Sequence, residues 1–328
     1  MENFQLLTDG LCDLPSGWLN QYPNITVIDT PIIVNKGDEN ITLRNLKSSD
    51  FDQVADYVNK GYSAHTSCPD IYMPDASAKD APENVEGVTR SLLEKGLDVI
   101  YVVMSSTLSS TYGYVSTLYK ELAKEYPERT ILCVDSLSMS TGLGLLIMDI
   151  MAEYEKGSFE TLTDIVKYVE DNRGGIAHIF SWSEFTFIRK SGRVSLLPAF
   201  LGGALHFQPF CSNEFDDTKD GSRVLLPVKS TVRGEEKFAA LLVAFAKETI
   251  TDPEDTIIVA CAKRQGFADL IAAKLKEAFP KANILVGRDW KLSTGIQVHG
   301  GPTSMHINFH RKQPNSFSET CELVKQLS

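Results

Sequence analysis

The sequence predicts an α/β protein of two domains, the first built on a parallel sheet and the second on a mixed or antiparallel one. Three observations carry this. The 328 residues are enough for two cores of ordinary size. In the first half, short apolar runs alternate with helical patterns, an order that lays strands in parallel with helices on their faces. Near residues 172–175 the pattern changes, and beyond it long amphipathic helices separate strands of a different character. The boundary is therefore placed between 1–172 and 173–328.

Strand-length apolar runs at 4–8, 26–34, 99–104 and 129–134 are bounded by turn residues. A helix over 51–57 follows the start signal Ser48-Ser49-Asp50, and another over 88–95 stops at Gly96. Tyr112, Val115, Tyr119, Leu122 and Tyr126 recur with helical spacing behind Ser109 or Ser110 as cap. The stretch 138–154 is apolar on nearly every side, so burial between a sheet and a second element is expected. In the second half, strands are expected at 176–182, 205–210, 223–229, 255–262 and 284–287. Phe238, Leu241, Leu242 and Phe245 mark one amphipathic helix; Phe267, Leu270, Ile271, Leu275 and Ala278 mark another. Met305, Ile307 and Phe309 alternate with His306, Asn308 and His310, which reads as an edge or half-exposed strand with one wet face. Residues 69–82, rich in Asp, Ala and Pro, read as an exposed loop.

Composition narrows the function. With 43 acidic against 32 basic side chains the net charge is −11, which opposes nucleic acid as a partner because that role needs a basic stripe. No apolar run approaches the ~20 residues of a membrane span, and the amino terminus has no secretory pattern. The six cysteines are scattered without metal-ligand spacing and read as reduced thiols, so a cytoplasmic chain without a metal is expected. No Gly-Lys pair supports a P-loop, and neither His-Glu-x-x-His nor Gly-x-Ser-x-Gly occurs. Gly142-Leu143-Gly144 lacks the third glycine of a dinucleotide turn. No cofactor and no self-sufficient nucleophile are expected.

Hydroxyl groups crowd the expected strand ends. Thr8-Asp9-Gly10, His65-Thr66-Ser67, the run from Ser105 to Thr111, and Asp135-Ser136 would all fall at the carboxyl-terminal edge of a parallel sheet, where ligands bind. Serine hydroxyls and free N–H groups at a helix start form an uncharged cradle for a carboxylate or phosphate. Each segment alone is also what an ordinary cap or turn requires; their clustering on one edge is what favours a site. Arg189, Lys190 and Arg193, in a glycine-containing turn, suit either a phosphate or partner contact or a solvated loop. His299, before Gly300-Gly301-Pro302, is either structural or ligand-facing.

Taken in order, Thr8-Asp9 with Asp13-Leu14-Pro15, Thr66-Ser67-Cys68-Pro69, Ser105-Ser106-Thr107-Leu108-Ser109-Ser110-Thr111-Tyr112, Asp135-Ser136 with Gly142-x-Gly144, Ser191-Gly192-Arg193-Val194-Ser195 and His299-Gly300-Gly301-Pro302 resemble the DegV family. These are bacterial fatty-acid-binding proteins, some of them acyl-carrier subunits of a two-component fatty acid kinase. The resemblance implies two α/β domains with a long-chain fatty acid in a tunnel between them. It implies a carboxylate held at the mouth by Thr66, Ser67, Ser106 and Ser109 and approached by His299. Arg193 matches the arginine of the family's Gly-Gly-Arg, which is linked to engagement of the ATP-binding kinase subunit. That partner, not this chain, would phosphorylate the presented carboxylate. Gly10, Ser110, Ser191 and the segment Thr303-Ser304-Met305-His306 depart from the family pattern. Two other functions stay open: an enzyme acting on a phosphate or carboxylate ligand in the same crevice, and a lipid-free interaction scaffold.

Overall fold

The structure, a computed structural model, describes residues 3–67, 84–191, 207–215, 217, 223–312 and 316–328. In chain order the first half contains β1 (Phe4–Asp9), α1 (Ser16–Leu19), β2 (Ile25–Ile28), β3 (Ile32–Lys36), β4 (Glu39–Leu43), α2 (Phe51–Asn59) and β5 (Ser63–Thr66). It continues with α3 (Val85–Glu94), β6 (Asp98–Val103), α4 (Thr111–Glu125), β7 (Ile131–Asp135), α5 (Ser140–Glu155) and α6 (Leu162–Asn172). Strands β2, β1, β6 and β7 form an all-parallel sheet in that order. All six residues of β1 are buried, as helices on both faces of a parallel sheet demand.

The apolar run 26–34 is not one strand. It breaks at Thr30-Pro31, leaving β2 in the parallel sheet and β3 at the centre of a small antiparallel sheet ordered β4-β3-β5. Proline has no N–H for a ladder and a fixed φ, so the chain changes sheets there. His65 and Thr66 consequently lie on β5, with Ser67 just beyond it, and not at the edge of the parallel sheet.

A 3-10 turn, Arg173–Gly175, leads into β8 (Ile176–Ser181), α7 (Thr186–Ser191), β9 (Phe207–Phe215), β10 (Arg223–Arg233), α8 (Glu235–Thr249) and β11 (Thr256–Cys261). Then come α9 (Gln265–Ala278), β12 (Asn283–Lys291), α10 (Thr294–Gly300), β13 (Met305–His310) and α11 (Phe317–Gln326). The sheet order is β10-β9-β8-β13-β11-β12, antiparallel except for the parallel pair β11–β12, and therefore mixed. Phe238, Leu242 and Phe245 of α8 and Ile271 and Leu275 of α9 close its core over Val259, Ile307 and Phe309. The loop expected at 69–82 lies outside the described residues, as do 205–206 of the strand expected at 205–210.

β13 is not an edge strand, and its polar face is not wet. It runs between β8 and β11 at the sheet centre, where His306 is 3% and Asn308 1% exposed. Their hydrogen bonds are made by a helix and by the neighbouring strand β8 instead of by water. Asn308 Oδ1 accepts from Thr141 Oγ1 at 2.5 Å, its Nδ2 donates to the Ala177 carbonyl at 3.0 Å, and His306 Nδ1 lies 2.8 Å from Ser140 Oγ. At the strand end, His310 bridges Asp149 (2.7 Å) and Asp255 (2.5 Å).

That helix is α5, which lies between the parallel and mixed sheets. Leu143, Leu146 and Ile150 share one core with Leu6 and Ile100 of the first sheet and with Ile258 of the second. Gly142 and Gly144 allow the double approach. A Cβ on Gly142 would sit 2.3 Å from His178 Nε2, and one on Gly144 2.6 Å from the Cys12 carbonyl oxygen. Two glycines in a helix interior each cost about 1 kcal/mol relative to alanine, which the close packing on both sides offsets.

Candidate functional site

The carboxyl ends of β1, β6 and β7 fix the loop that follows β6. Asp9 is fully buried and accepts from the Met104 N–H (2.6 Å) and the Tyr101 hydroxyl (3.2 Å). Burial raises its pKa to about 6 although both hydrogen bonds pull it down. Asp135 accepts from the N–H groups of Ser106 (3.1 Å) and Leu137 (3.0 Å). Both carboxylates thus hold backbone and shape the loop. Within it the hydroxyls pair two residues apart: Ser105 with Thr107 and Ser109 with Thr111, both at 2.8 Å. Ser109 Oγ also accepts the Thr111 N–H at 3.2 Å, whereas Ser110, at the N-cap position of α4, makes no side-chain cap bond.

Opposite this loop stands α10. Its N-cap Ser293 accepts from the Ile296 N–H at 3.3 Å, and the Ser293 N–H donates to Asp13 Oδ1 at 2.8 Å. Thr294 Oγ1 donates to the Lys47 carbonyl (2.5 Å) and Gln297 Nε2 to that of Ser48 (3.2 Å). Gly295 lets Leu11 pack close, since a Cβ would lie 2.3 Å from Leu11 Cδ2. The helix end carries His299, whose Nε2 hydrogen-bonds Thr66 Oγ1 of β5 at 2.8 Å.

Between the loop, β5, α10 and the face of β8 and β13 is a cavity of about 420 Å³. Thr66, Ser67, Ser106, Ser109 and His299 all line it. Ser106, Thr107 and Ser110 are exposed, so the hydroxyl-bearing side faces outward. The deeper wall is mostly apolar and includes Phe180, Trp182 and Ile188, all buried. No Lys or Arg is among the described residues lining the cavity. Arg193 lies outside the described residues. Thr30, Phe180, Trp182, Ile188 and His306 line the cavity but were not candidates from sequence. Of these only His306 carried a signal, its place in the alternating run before Asn308. Among the described residues no group of three His, Cys, Asp or Glu side chains is placed to hold a metal, and no helix is long and apolar enough to cross a membrane.

Fold and site define a class: an α/β protein whose parallel and mixed sheets share one buried helix and enclose a chamber with a polar outer side. Within that class, the chain belongs to the DegV family, whose sequence model, described as "Uncharacterised protein, DegV family", matches residues 3–312. A DegV domain-containing protein of Clostridium perfringens is 23% identical over 293 residues, covering 87% of this chain and 91% of that one. Among solved structures, a DegV family protein from Eubacterium eligens loaded with heptadecanoic acid superposes with a TM-score of 0.73 at 14% identity, covering 94% of this chain and 100% of that one. The fatty acid kinase B3 protein of Streptococcus pneumoniae, loaded with linoleic acid, gives 0.71 at 17% identity, with the same coverage.

Proposed function

We propose that this chain is a fatty acid carrier. It takes a long-chain fatty acid into the cavity between residues 1–172 and 173–328 and presents the carboxylate to a separate, ATP-using kinase. Thr66, Ser67, Ser106, Ser109 and His299 hold the carboxylate, and Arg193 faces the partner. The observation that carries this reading is the Thr66–His299 pair on the outer, hydroxyl-rich side of a chamber with a mostly apolar inner wall. Solved relatives of the same fold loaded with heptadecanoic and linoleic acids support it. About 420 Å³ falls within the usual range for small-molecule sites, and each buried methylene contributes about 0.8 kcal/mol.

The uncharged cradle suits the chemistry. A carboxylate oxygen must attack the terminal phosphorus of ATP to form an acyl phosphate while ADP departs. Hydroxyl hydrogen bonds orient that oxygen, whereas a fixed lysine or arginine would tie up its lone pairs. The carrier supplies position, and the partner supplies phosphate and its activation. The test is organic extraction of the purified protein followed by mass spectrometry. Near-stoichiometric free fatty acid is expected. An empty protein that also refuses added fatty acids would overturn the reading.

A further inference from the structure

We infer that His306 makes the inner wall of the cavity selective for an acyl chain bearing a hydroxyl group. This rests on the fatty acid reading and narrows its ligand class.

His306 sits opposite Phe180 in the β13–β8 register, its ring edge-on to that phenylalanine at 4.6 Å, and it lines the cavity while only 3% exposed. Its Nδ1 lies 2.8 Å from Ser140 Oγ, and Ser140 Oγ donates to Asp13 Oδ2 at 2.5 Å. Asp13 Oδ1 is occupied by the Ser293 N–H. Burial raises the Asp13 pKa to about 6, so above that pH the carboxylate is ionised and holds the single Ser140 proton. Ser140 Oγ then has only lone pairs to offer, and Nδ1 must be the protonated nitrogen. Burial also drives the His306 pKa down to about 3, which keeps the ring neutral. The remaining nitrogen, Nε2, is therefore an acceptor, and among the described residues it has no hydrogen-bond partner. Trp182 Nε1 is buried beneath the surface and so offers a ligand no competing donor.

A lone acceptor in a mostly apolar wall discriminates by chemistry. A plain acyl chain leaves it unsatisfied. An oxo group sets acceptor against acceptor. A hydroxyl donates to it and removes the mismatch.

The experiment is competition binding to delipidated protein at pH 7.5, using stearic acid, a positional series of hydroxystearic acids and the matching oxostearic acids. At least one hydroxy isomer should bind about tenfold tighter than stearic acid and than its oxo counterpart. In His306→Leu that preference should fall to within about twofold while stearic acid still binds. A wild-type protein that binds stearic acid as tightly as every hydroxy isomer overturns the inference and leaves the carrier reading standing, as does a preference that survives in His306→Leu. Failure of every acid to bind overturns both. Should His306→Leu not fold, the wild-type ratio of hydroxy to oxo affinities decides alone.

Discussion

The two large sheets handle buried polar groups in opposite ways. At the end of the parallel sheet, Asp9 and Asp135 spend most of their hydrogen bonds on backbone N–H groups of the loops after β6 and β7, so charge shapes loops. On the mixed sheet, His306, Asn308 and His310 pair with side chains of α5 and its surroundings, so polarity joins two halves of the molecule. The first arrangement fixes loop backbone, Asp9 reaching Met104 across 95 positions. The second joins side chains of separate elements, and at the buried His306 and Asn308 a defect has little solvent to repair it.

The sharpest way to break this contrast is at His310. Replacing it with alanine leaves Asp149 and Asp255 facing each other half-buried, and should cost about 3 kcal/mol in denaturant unfolding. The same group sets a pH response. Burial opposes its charge, but the hydrogen bonds it donates to Asp149 and Asp255 and the attraction of those carboxylates outweigh this and lift its pKa from 6.5 to about 10. A raised folded-state value stabilises fully below pH 6.5 and is lost as pH climbs through 10. The wild-type unfolding midpoint should therefore fall across that window; a midpoint that rises would remove the assignment. The fall should be absent in His310→Ala.

Next is a paired test of glycine. Gly142→Ala forces a methyl onto His178 and Asn308 and should cost about 2 kcal/mol. Gly113→Ala in α4, where nothing lies within 4 Å of the added carbon, should gain up to about 1 kcal/mol. Equal effects in thermal melts would mean α5 is not pinned by the polar seam. At the outer side of the cavity, Thr66→Ala and Ser106→Ala should each weaken fatty acid binding by about 1 kcal/mol with little change in melting temperature. The smallest effect separates two neighbours. Ser109→Ala removes the acceptor for the Thr111 N–H and should cost about 1 kcal/mol, whereas Ser110→Ala should stay within about 0.5 kcal/mol.

Legibility followed the same divide. Strands β1, β6 and β7 of the parallel sheet and the burial of 138–154 are legible because each is a local pattern. The hydroxyl positions were legible as strand-end clusters, and the resemblance selected among them. The sheet that holds Thr66 is hidden because 26–34 reads as one strand-length run, although Asp29, Thr30 and Pro31 in its middle mark the break between β2 and β3. β13 shows the limit most plainly. Alternation reports that two faces differ, and it is silent on whether the polar one meets water or a helix. Phe180 and Trp182 read as ordinary core for a related reason: sequence marks a side chain as apolar but not as bordering a void.

The seat of α10 also governs how the protein is made. Asp13, Lys47, Ser48 and Thr66 take partners from residues 293–299, and Thr66 meets His299 across 233 positions. At about 5–20 residues per second, Thr66 waits roughly 10–50 s after its own synthesis for that partner to be polymerised. During that interval Leu11 lacks its cover and β5 its neighbour, so the nascent amino-terminal region carries an unfinished apolar surface. The cavity cannot close until residues 293–306 have been made. A chain released before residue 290 would own most of the elements described above and still have no chamber in which to keep a ligand.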